Sequence, residues 1–482
     1  MTVVDYVLQR RGGGLGRWGW IAAACAVALG AAAGADPKLG IGVAIAFFVV
    51  AATLIQPVSI LWMLIASVFL EVVTVGGVTV SRLIAPVALL VVLLELLRGR
   101  AFVRSAPPLL WASVYAIVAL ASGLWTVSTS HTLTLLASLA IALTYMLCFA
   151  ALLDSERDLR ITLHVLALAS LLIGVVSLAS FAGVSLVPTS SLQSGRAQGG
   201  VGDPNFFANV QLVAFPVIVV LAAQAKNLWL RAGLAFAALV ALASVLSTLS
   251  RGGLIALMFV LVVLPLAPAG ALFASRRQKA LIVLVLVAGL LVLASRPFFR
   301  SEVVKRATTI FVSNESETTG SSAGSGREEL WKAASHSISE HPFLGIGFGA
   351  FPAVSNDLLV RTPGVDLKLV SPHEHGLETH SAYIGTTAEL GFVGLGALLA
   401  LIASTVLALR RAAVRARRAG ALSLSRISNA LMLSMVGWAI SSVFIETETA
   451  RPLWIVIGIA LALPKIIERS VVDLPMQRGA GV

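Results

Sequence analysis

The sequence contains very little cysteine and very little charge. Two cysteines, Cys25 and Cys148, occur in 482 residues, and both lie inside apolar runs. This rules out a disulfide framework and makes a cysteine-based metal site implausible. Charged residues make up 12% of the chain, against roughly a quarter in soluble domains. The low charge excludes an ordinary soluble protein, and the 58% hydrophobic content excludes a disordered one.

The chain instead contains apolar runs of about 17–25 residues, the length that crosses a bilayer as a helix. The runs lie at roughly 18–34, 40–55, 59–74, 83–97, 109–126, 132–152, 161–183, 206–223, 229–247, 252–269, 280–296, 381–409, 427–445 and 452–466. We expect the first run to be an anchor, because no small-residue cleavage site lies near it. The sequence therefore predicts an all-α polytopic integral membrane protein with about 12–14 transmembrane helices.

The basic residues predict the orientation of these helices. Most of the 35 Lys and Arg residues fall in one alternating set of short segments, and such segments face the cytoplasm. Both termini are then cytoplasmic. The net charge of +12 is mostly a consequence of this topology, so we expect the lipid bilayer, and no nucleic acid, as a partner.

A long polar segment, residues 297–380, interrupts the series of apolar runs and is expected on the outer face. Long connections of this kind are usually functional or disordered. Ser325 and Glu328 fit a capping box that opens a helix over about 327–340. We therefore divide the chain into a transmembrane bundle (1–296), a large extracytoplasmic catalytic loop with helices (297–380), and C-terminal transmembrane helices with a short cytoplasmic tail (381–482).

Two external arginines are candidates for chemistry. Arg251 lies at the outer membrane edge, where a charge is costly unless it is paired or faces a cavity. Its alternative role is to snorkel to the headgroups. Arg327 begins the predicted loop helix, where backbone donors also favour anions. Its alternative role is that of a solvated residue stacking on Trp331.

Three histidines cluster just before the run that starts at 381: His373, His375 and His380. A metal site is one reading, although no recognised ligand spacing is present. A general base is the other, and it needs one well-placed imidazole. His380 is best placed for that role, and Tyr383 follows it three residues later. Its alternative role is structural, as a histidine whose hydrogen bonds are made by the protein at the start of a helix.

Other external groups add to the positive charge. Arg82 lies in a short external loop, and Arg196 lies in the segment GRAQGGVGDPNFFAN, which also suits a simple re-entry turn. Cationic groups at the membrane edge suit a diphosphate on a lipid carrier whose tail stays in the bilayer, and an imidazole suits deprotonation of an acceptor hydroxyl.

Four segments, in this order and spacing, carry a resemblance to a known family. GDPNFFAN, SRGGLIAL, GREELWKAASHSISEHPFLGIGFGAF and THSAYIGTTAELGFVGL resemble the O-antigen ligase and O-antigen polymerase superfamily. The resemblance implies a metal-independent glycosyltransferase with a GT-C-like fold and no cofactor. It further implies a bacterial inner-membrane protein of cell-surface polysaccharide assembly, whose donor is a glycan on undecaprenyl diphosphate.

The same resemblance implies roles for individual residues. His380 would be the catalytic base or orient the acceptor, and Arg251 and Arg327 would hold the diphosphate. Arg196, Arg82 and Tyr383 would be further substrate contacts. Where relatives often have Asn after the histidine, this chain has Ser381.

The sequence leaves two questions open: which acceptor is used, and whether the chain is instead a transporter. The acceptor is a glycan, a lipid or a wall polymer, so the chain is a ligase or a polymerase. A polysaccharide-precursor transporter or flippase also has many spans, but it predicts polar or broken helices near the midplane.

Overall fold

The structure is a computed structural model. It describes residues 56–75, 78–184, 192–193, 195–268, 270–295, 326–370 and 376–479. The chain divides into two units, Met1–Ile60 and Leu61–Val482, and the architecture described below is that of the second. Two of the predicted apolar runs, 18–34 and 40–55, lie outside the described residues.

The described residues are dominated by α-helices. In chain order these are α1 (Ser59–Val68), α2 (Val80–Leu97), α3 (Pro107–Ala121), α4 (Thr129–Leu152), α5 (Glu156–Phe181), α6 (Pro204–Gln224), α7 (Leu228–Ser247), α8 (Arg251–Leu266), α9 (Arg276–Ala294), α10 (Gly326–Glu340), α11 (Phe351–Arg361), α12 (Ala382–Arg418), α13 (Leu422–Ser441) and α14 (Arg451–Gly479). A short 3₁₀ turn, Ser122–Leu124, follows α3. Two antiparallel hairpins of two-residue strands pair β1 (Thr74–Val75) with β2 (Val78–Thr79) and β3 (Leu192–Gln193) with β4 (Arg196–Ala197).

Seven helices in the described part of the chain are long and apolar enough to cross a membrane. They are α2, α3 with its 3₁₀ turn, α4, α5, α6, α7 and α12, while α1 and α8 are shorter apolar helices. The prediction of an all-α polytopic membrane protein is therefore confirmed. The predicted total of about 12–14 spans is larger, because it includes apolar runs other than these seven helices.

Helix α6 is the centre of the bundle. Its apolar stretch is 94% buried, and it packs against α5, α7, α8 and α13. Pro204 suits its first position, because the missing N–H would have no helical partner there. The preceding Asp203 accepts a hydrogen bond from the Phe206 backbone N–H at 2.7 Å. Asp203 is thus fixed at the start of α6, the most buried of the seven candidate spans in the described part of the chain.

The polar segment before α12 contains two helices that pack on it. The predicted helix at about 327–340 is confirmed as α10, although Ser325 of the proposed capping box lies outside the described residues. Leu330 and Ala334 of α10 share a small core with Phe351 of α11 and Ala388 of α12. An amphipathic stripe therefore docks α10 and α11 onto α12.

Glu389 of α12 holds the glycine-rich turn between α10 and α11. Its carboxylate accepts hydrogen bonds from the backbone N–H groups of Gly349 at 2.7 Å and Phe351 at 3.3 Å. Its backbone carbonyl accepts a third from Gly347 at 2.9 Å. Gly345 has φ +65°, and a Cβ there would lie 2.2 Å from the carbonyl carbon of Glu389. The turn needs glycine because its backbone touches that of α12.

Gly391 lies on the other side of this contact. Its φ of 65° and ψ of −167° interrupt the helical conformation of α12. A Cβ there would lie 2.1 Å from the carbonyl carbon of Phe343. The next residue, Phe392, donates its backbone N–H to the Pro342 carbonyl at 2.8 Å. The kink in α12 therefore carries the docking of the segment that contains α10 and α11.

We predict that Gly391→Ala destabilises the protein. Such a backbone conformation costs a non-glycine residue about 1–3 kcal/mol before the clash with Phe343 is added. The thermal unfolding midpoint of the detergent-purified variant should fall. Gly396→Ala is the matched control, because a Cβ at Gly396 meets no atom within 4 Å. Equal midpoints for the two variants would contradict this account of the kink.

Candidate functional site

His380 lies at the start of α12, where the backbone is strained. It has φ +54°, in the left-handed region that few non-glycine residues adopt. Its neighbours Thr379 and Ser381 are both buried, at 0% and 1% exposure. Ser381 is the N-cap of α12, and its Oγ accepts a long hydrogen bond from the Ile384 N–H at 3.4 Å. Packed neighbours therefore hold His380 in a conformation that it would not adopt alone.

Arg251 begins α8 in a similar arrangement. Leu249 has φ +52°, and Ser250 is the N-cap, whose Oγ accepts from the Gly253 N–H at 3.2 Å. The two glycines after Arg251 are explained by packing. A Cβ at Gly252 would lie 2.8 Å from that of Phe444, and a Cβ at Gly253 would lie 2.7 Å from that of Ala208.

Arg327 lies in the first turn of α10 and is partly buried. Its Nε is buried and has no hydrogen-bond partner among the described residues. Burial lowers the pKa of its guanidinium, and the positive charge of Arg251 lowers that pKa further, while Asp203 opposes the shift. Arg251 and Asp203 therefore both lie within electrostatic reach of Arg327.

His380 belongs to the same cluster. Burial lowers the pKa of its imidazole to about 4, the charge of Arg327 contributes in the same direction, and Asp203 raises it. The imidazole is consequently neutral at pH 7 and able to accept a proton. The fold thus brings together three residues that the sequence placed far apart, Arg251, Arg327 and His380, and adds Asp203.

The cluster lies where four helices begin. Asp203 caps α6, Arg251 opens α8, Arg327 lies in the first turn of α10, and His380 lies two residues before α12. Helix N-termini carry a partial positive charge and offer backbone N–H groups. Together with two guanidinium groups they favour an anion with several oxygens, such as a diphosphate.

Arg196 lies beside this cluster and links the segments that carry it. Its Nε donates to the Thr248 carbonyl at 2.8 Å, and its Nη2 donates to Oδ1 of Asn205 at 3.0 Å. These bonds tie the β3–β4 hairpin to the first turn of α6 and to the end of α7, three residues before Arg251. A direct contact between Arg196 and a substrate stays a prediction.

Tyr383 and Arg82 are placed differently. The Tyr383 hydroxyl donates to the Ala439 carbonyl at 2.7 Å, which joins α12 to α13. Arg82 is exposed in the first turn of α2, and its charge acts on Glu71. Glu71 in turn pairs with Arg451 at 3.1 Å. Tyr383 thus has a protein partner and Arg82 acts on a nearby carboxylate. Their roles in substrate binding stay predictions.

Two carboxylates near the site, Glu446 and Glu448, were not among the candidates from sequence. They lie between α13 and α14, and Glu448 is 6% exposed. Burial raises the pKa of Glu446 well above its usual value, and the negative charges of Glu378, Glu448 and Glu389 add to the shift. The sequence signal was FIETETA, two acidic residues at the edge of an apolar run.

The metal interpretation gains no support from the described part of the chain, in which no group of three or more His, Cys, Asp or Glu side chains could hold a metal ion. His373 and His375 lie outside the described residues. Of the three clustered histidines, His380 is therefore the one whose surroundings the structure describes.

We predict that the pKa of His380 reports the charges of Arg327 and Asp203 around its imidazole. NMR of ¹⁵N-histidine-labelled protein, assigned by difference with His380→Gln, should give a pKa well below 6.5. Arg327→Gln should raise it, because a nearby cation is lost. Asp203→Asn should lower it further, because a nearby anion is lost while the helix cap is kept. Inorganic diphosphate should raise it.

The two variants act as opposite controls for each other, because both remove one charge next to the same imidazole. A pKa near 6.5 that neither variant moves would contradict the placement of His380 between Arg327 and Asp203.

Comparison with known proteins identifies the family of this region. Residues 236–399 match the family described as O-antigen ligase. The matched stretch contains Arg251, Arg327 and His380, and it confirms the resemblance stated from the motifs. No curated protein matches the chain. The family match, together with the apolar helices, supports a multi-pass membrane enzyme of the glycosyltransferase type.

Proposed function

We propose that this chain, residues 236–399 of which match the O-antigen ligase family, transfers a glycan from undecaprenyl diphosphate to an acceptor hydroxyl. The observation that carries the proposal is the convergence of Arg251, Arg327 and a neutral His380 at the starts of α8, α10 and α12. The cluster unites an anion-binding site with a proton acceptor.

The two arginines hold the diphosphate. Their charges repel each other, and burial of Arg327 makes an unfilled site costly. A diphosphate relieves both costs, and the buried Nε of Arg327 offers it an N–H donor. The same charges stabilise the negative charge that develops on the leaving diphosphate.

His380 acts as the general base. Its neutral ring takes the proton from the acceptor O–H while that oxygen forms a bond to the anomeric carbon. The bond from that carbon to the diphosphate oxygen breaks, and its electron pair leaves with undecaprenyl diphosphate. Direct displacement inverts the anomeric configuration. Bound diphosphate offsets the charge of Arg327, which moves the imidazole pKa back towards neutrality and makes it a better base.

The position of the cluster suits a lipid-linked donor. Asp203 and His380 lie at the starts of the apolar helices α6 and α12, so the site is at one edge of the membrane-spanning region. The undecaprenyl tail can then stay among the lipids while the sugar remains in water. The distribution of Lys and Arg supports the extracytoplasmic face of a bacterial inner membrane, with both termini in the cytoplasm.

We predict that His380→Ala and Arg251→Ala each abolish the glycan product in a host deleted for this gene. Loss of a general base costs about 100- to 10,000-fold in rate, so the glycan ladder should disappear. Single repeat units attached to the acceptor would assign a polymerase, and long chains left on the lipid carrier would assign a ligase.

Two exposed residues of the same external segment serve as matched controls. His341 is exposed at the end of α10, and Arg361 pairs with Asp357 on the surface of α11. His341→Ala and Arg361→Ala should leave the ladder intact. Intact ladders with His380→Ala and Arg251→Ala would overturn the proposed site and favour a transporter or flippase.

A further inference from the structure

The segment between α13 and α14, residues 442–450, packs against the proposed site. The first residue of α12, Ala382, donates its N–H to the carbonyls of Ser442 at 3.0 Å and Ile445 at 3.1 Å. Phe444 lies over Gly252, and its ring centroid is 6.4 Å from that of Trp331. The segment therefore touches the starts of α8, α10 and α12 together.

Glu446 of this segment binds Thr379, the residue before His380. Its Oε1 accepts hydrogen bonds from the Thr379 backbone N–H at 2.7 Å and from the Thr379 hydroxyl at 2.5 Å. A Cβ at Gly385 would lie 3.0 Å from the same oxygen, so the glycine leaves room for the carboxyl against the first turn of α12.

Thr379 is fixed on its other side by α10. The indole N–H of Trp331 donates to the Thr379 carbonyl at 2.9 Å. Trp331 is four residues after Arg327, so the helix that carries one arginine also holds the residue next to the histidine. Thr379 thus has its N–H, its hydroxyl and its carbonyl all bonded, immediately before the strained backbone of His380.

The charge of Glu446 is not needed for this arrangement. Burial and the charges of Glu378, Glu448 and Glu389 raise its pKa well above the usual range, so its neutral form is favoured. One oxygen accepts both bonds, and an amide oxygen in the same place can do the same. Geometry rather than charge is therefore what Glu446 supplies.

We propose that Glu446 is a positioning residue for His380, which through Thr379 keeps the histidine in its left-handed conformation and its imidazole beside Arg327 and Asp203. The inference rests on the proposed function, in which His380 is the base. Without the carboxyl, Thr379 loses two bonds, and the strain at His380 is released by a rotation that moves the imidazole.

The first test is kinetic and uses purified full-length enzyme with lipid-linked donor. Glu446→Gln should keep kcat within about threefold, and Glu446→Leu should lower it about 10- to 100-fold, because small displacements of a catalytic group cost rates of this size. The KM for the donor should stay unchanged, since the arginines are untouched. Glu448→Leu, which removes a neighbouring buried carboxylate that does not bind Thr379, is the matched control and should resemble wild type.

The second test reads the position of His380 without activity. In Glu446→Leu, ¹⁵N-histidine NMR should show the His380 pKa rising from its lowered value towards 6.5, while Glu446→Gln should leave it unchanged. Thr379→Val keeps the backbone bond to Glu446 but loses the hydroxyl bond, together with the bonds of that hydroxyl to the Ser381 carbonyl at 3.1 Å and the Ser381 N–H at 3.3 Å. It should show an intermediate rise in the His380 pKa, and Thr379→Ser, which keeps the hydroxyl, should show none. If Glu446→Leu does not fold, an unchanged His380 pKa in Thr379→Val contradicts the role of Thr379 as the link.

The outcomes separate the two proposals. An inactive His380→Ala with a fully active Glu446→Leu, whose His380 pKa is unchanged, would overturn the positioning role and leave the proposed function standing. An active His380→Ala would overturn the proposed function, while the His380 pKa would still report whether Glu446 positions it. Equal losses in Glu446→Gln and Glu446→Leu would show that charge matters, which contradicts the inference.

Discussion

Two guanidinium groups held near each other in a partly desolvated place are the constraint on which the site depends. Bringing Arg251 and Arg327 together costs free energy, and the starts of several helices add further positive potential. Asp203 offsets part of this charge. The protein tolerates the remainder because apolar packing fixes the surrounding helices. In the proposed function, an anionic ligand offsets the cost. Burial, helped by the charge of Arg327, lowers the pKa of the His380 imidazole and keeps it neutral, so in the proposed function the anion-binding site also has a proton acceptor.

The scaffold that imposes this constraint is built from contacts between distant parts of the chain. Glu389 holds the glycine-rich turn against α12, and the kink at Gly391 completes the docking of α10 and α11. Trp331 then connects α10 to Thr379, so Arg327 and His380 are held by one connected structure. The described non-glycine residues with positive φ are Leu249, two residues before Arg251, and His380, the proposed base. Backbone strain of this kind clusters at functional sites, which supports the proposal.

The helices and several of the clustered residues were predictable from the sequence, because their signals are local. Apolar runs gave the helices, and an amphipathic stripe gave α10. What could not be predicted depends on partners far along the chain. Arg196 reads as a free external cation, yet it bonds the Thr248 carbonyl. Tyr383 reads as a site hydroxyl, yet it bonds Ala439. Glu446 gave no sign of its link to Thr379, since the two are separated by 66 other residues and pair only in the fold.

The most direct measurement is an experimental structure of the full-length protein in lipid with undecaprenyl diphosphate bound. We expect diphosphate oxygens within hydrogen-bond distance of both Arg251 and Arg327. The His380 imidazole should lie beside the sugar-bearing phosphate, and the lipid tail should run along the membrane-facing surface. A diphosphate bound elsewhere, with both arginines still facing only protein groups, would contradict this expectation.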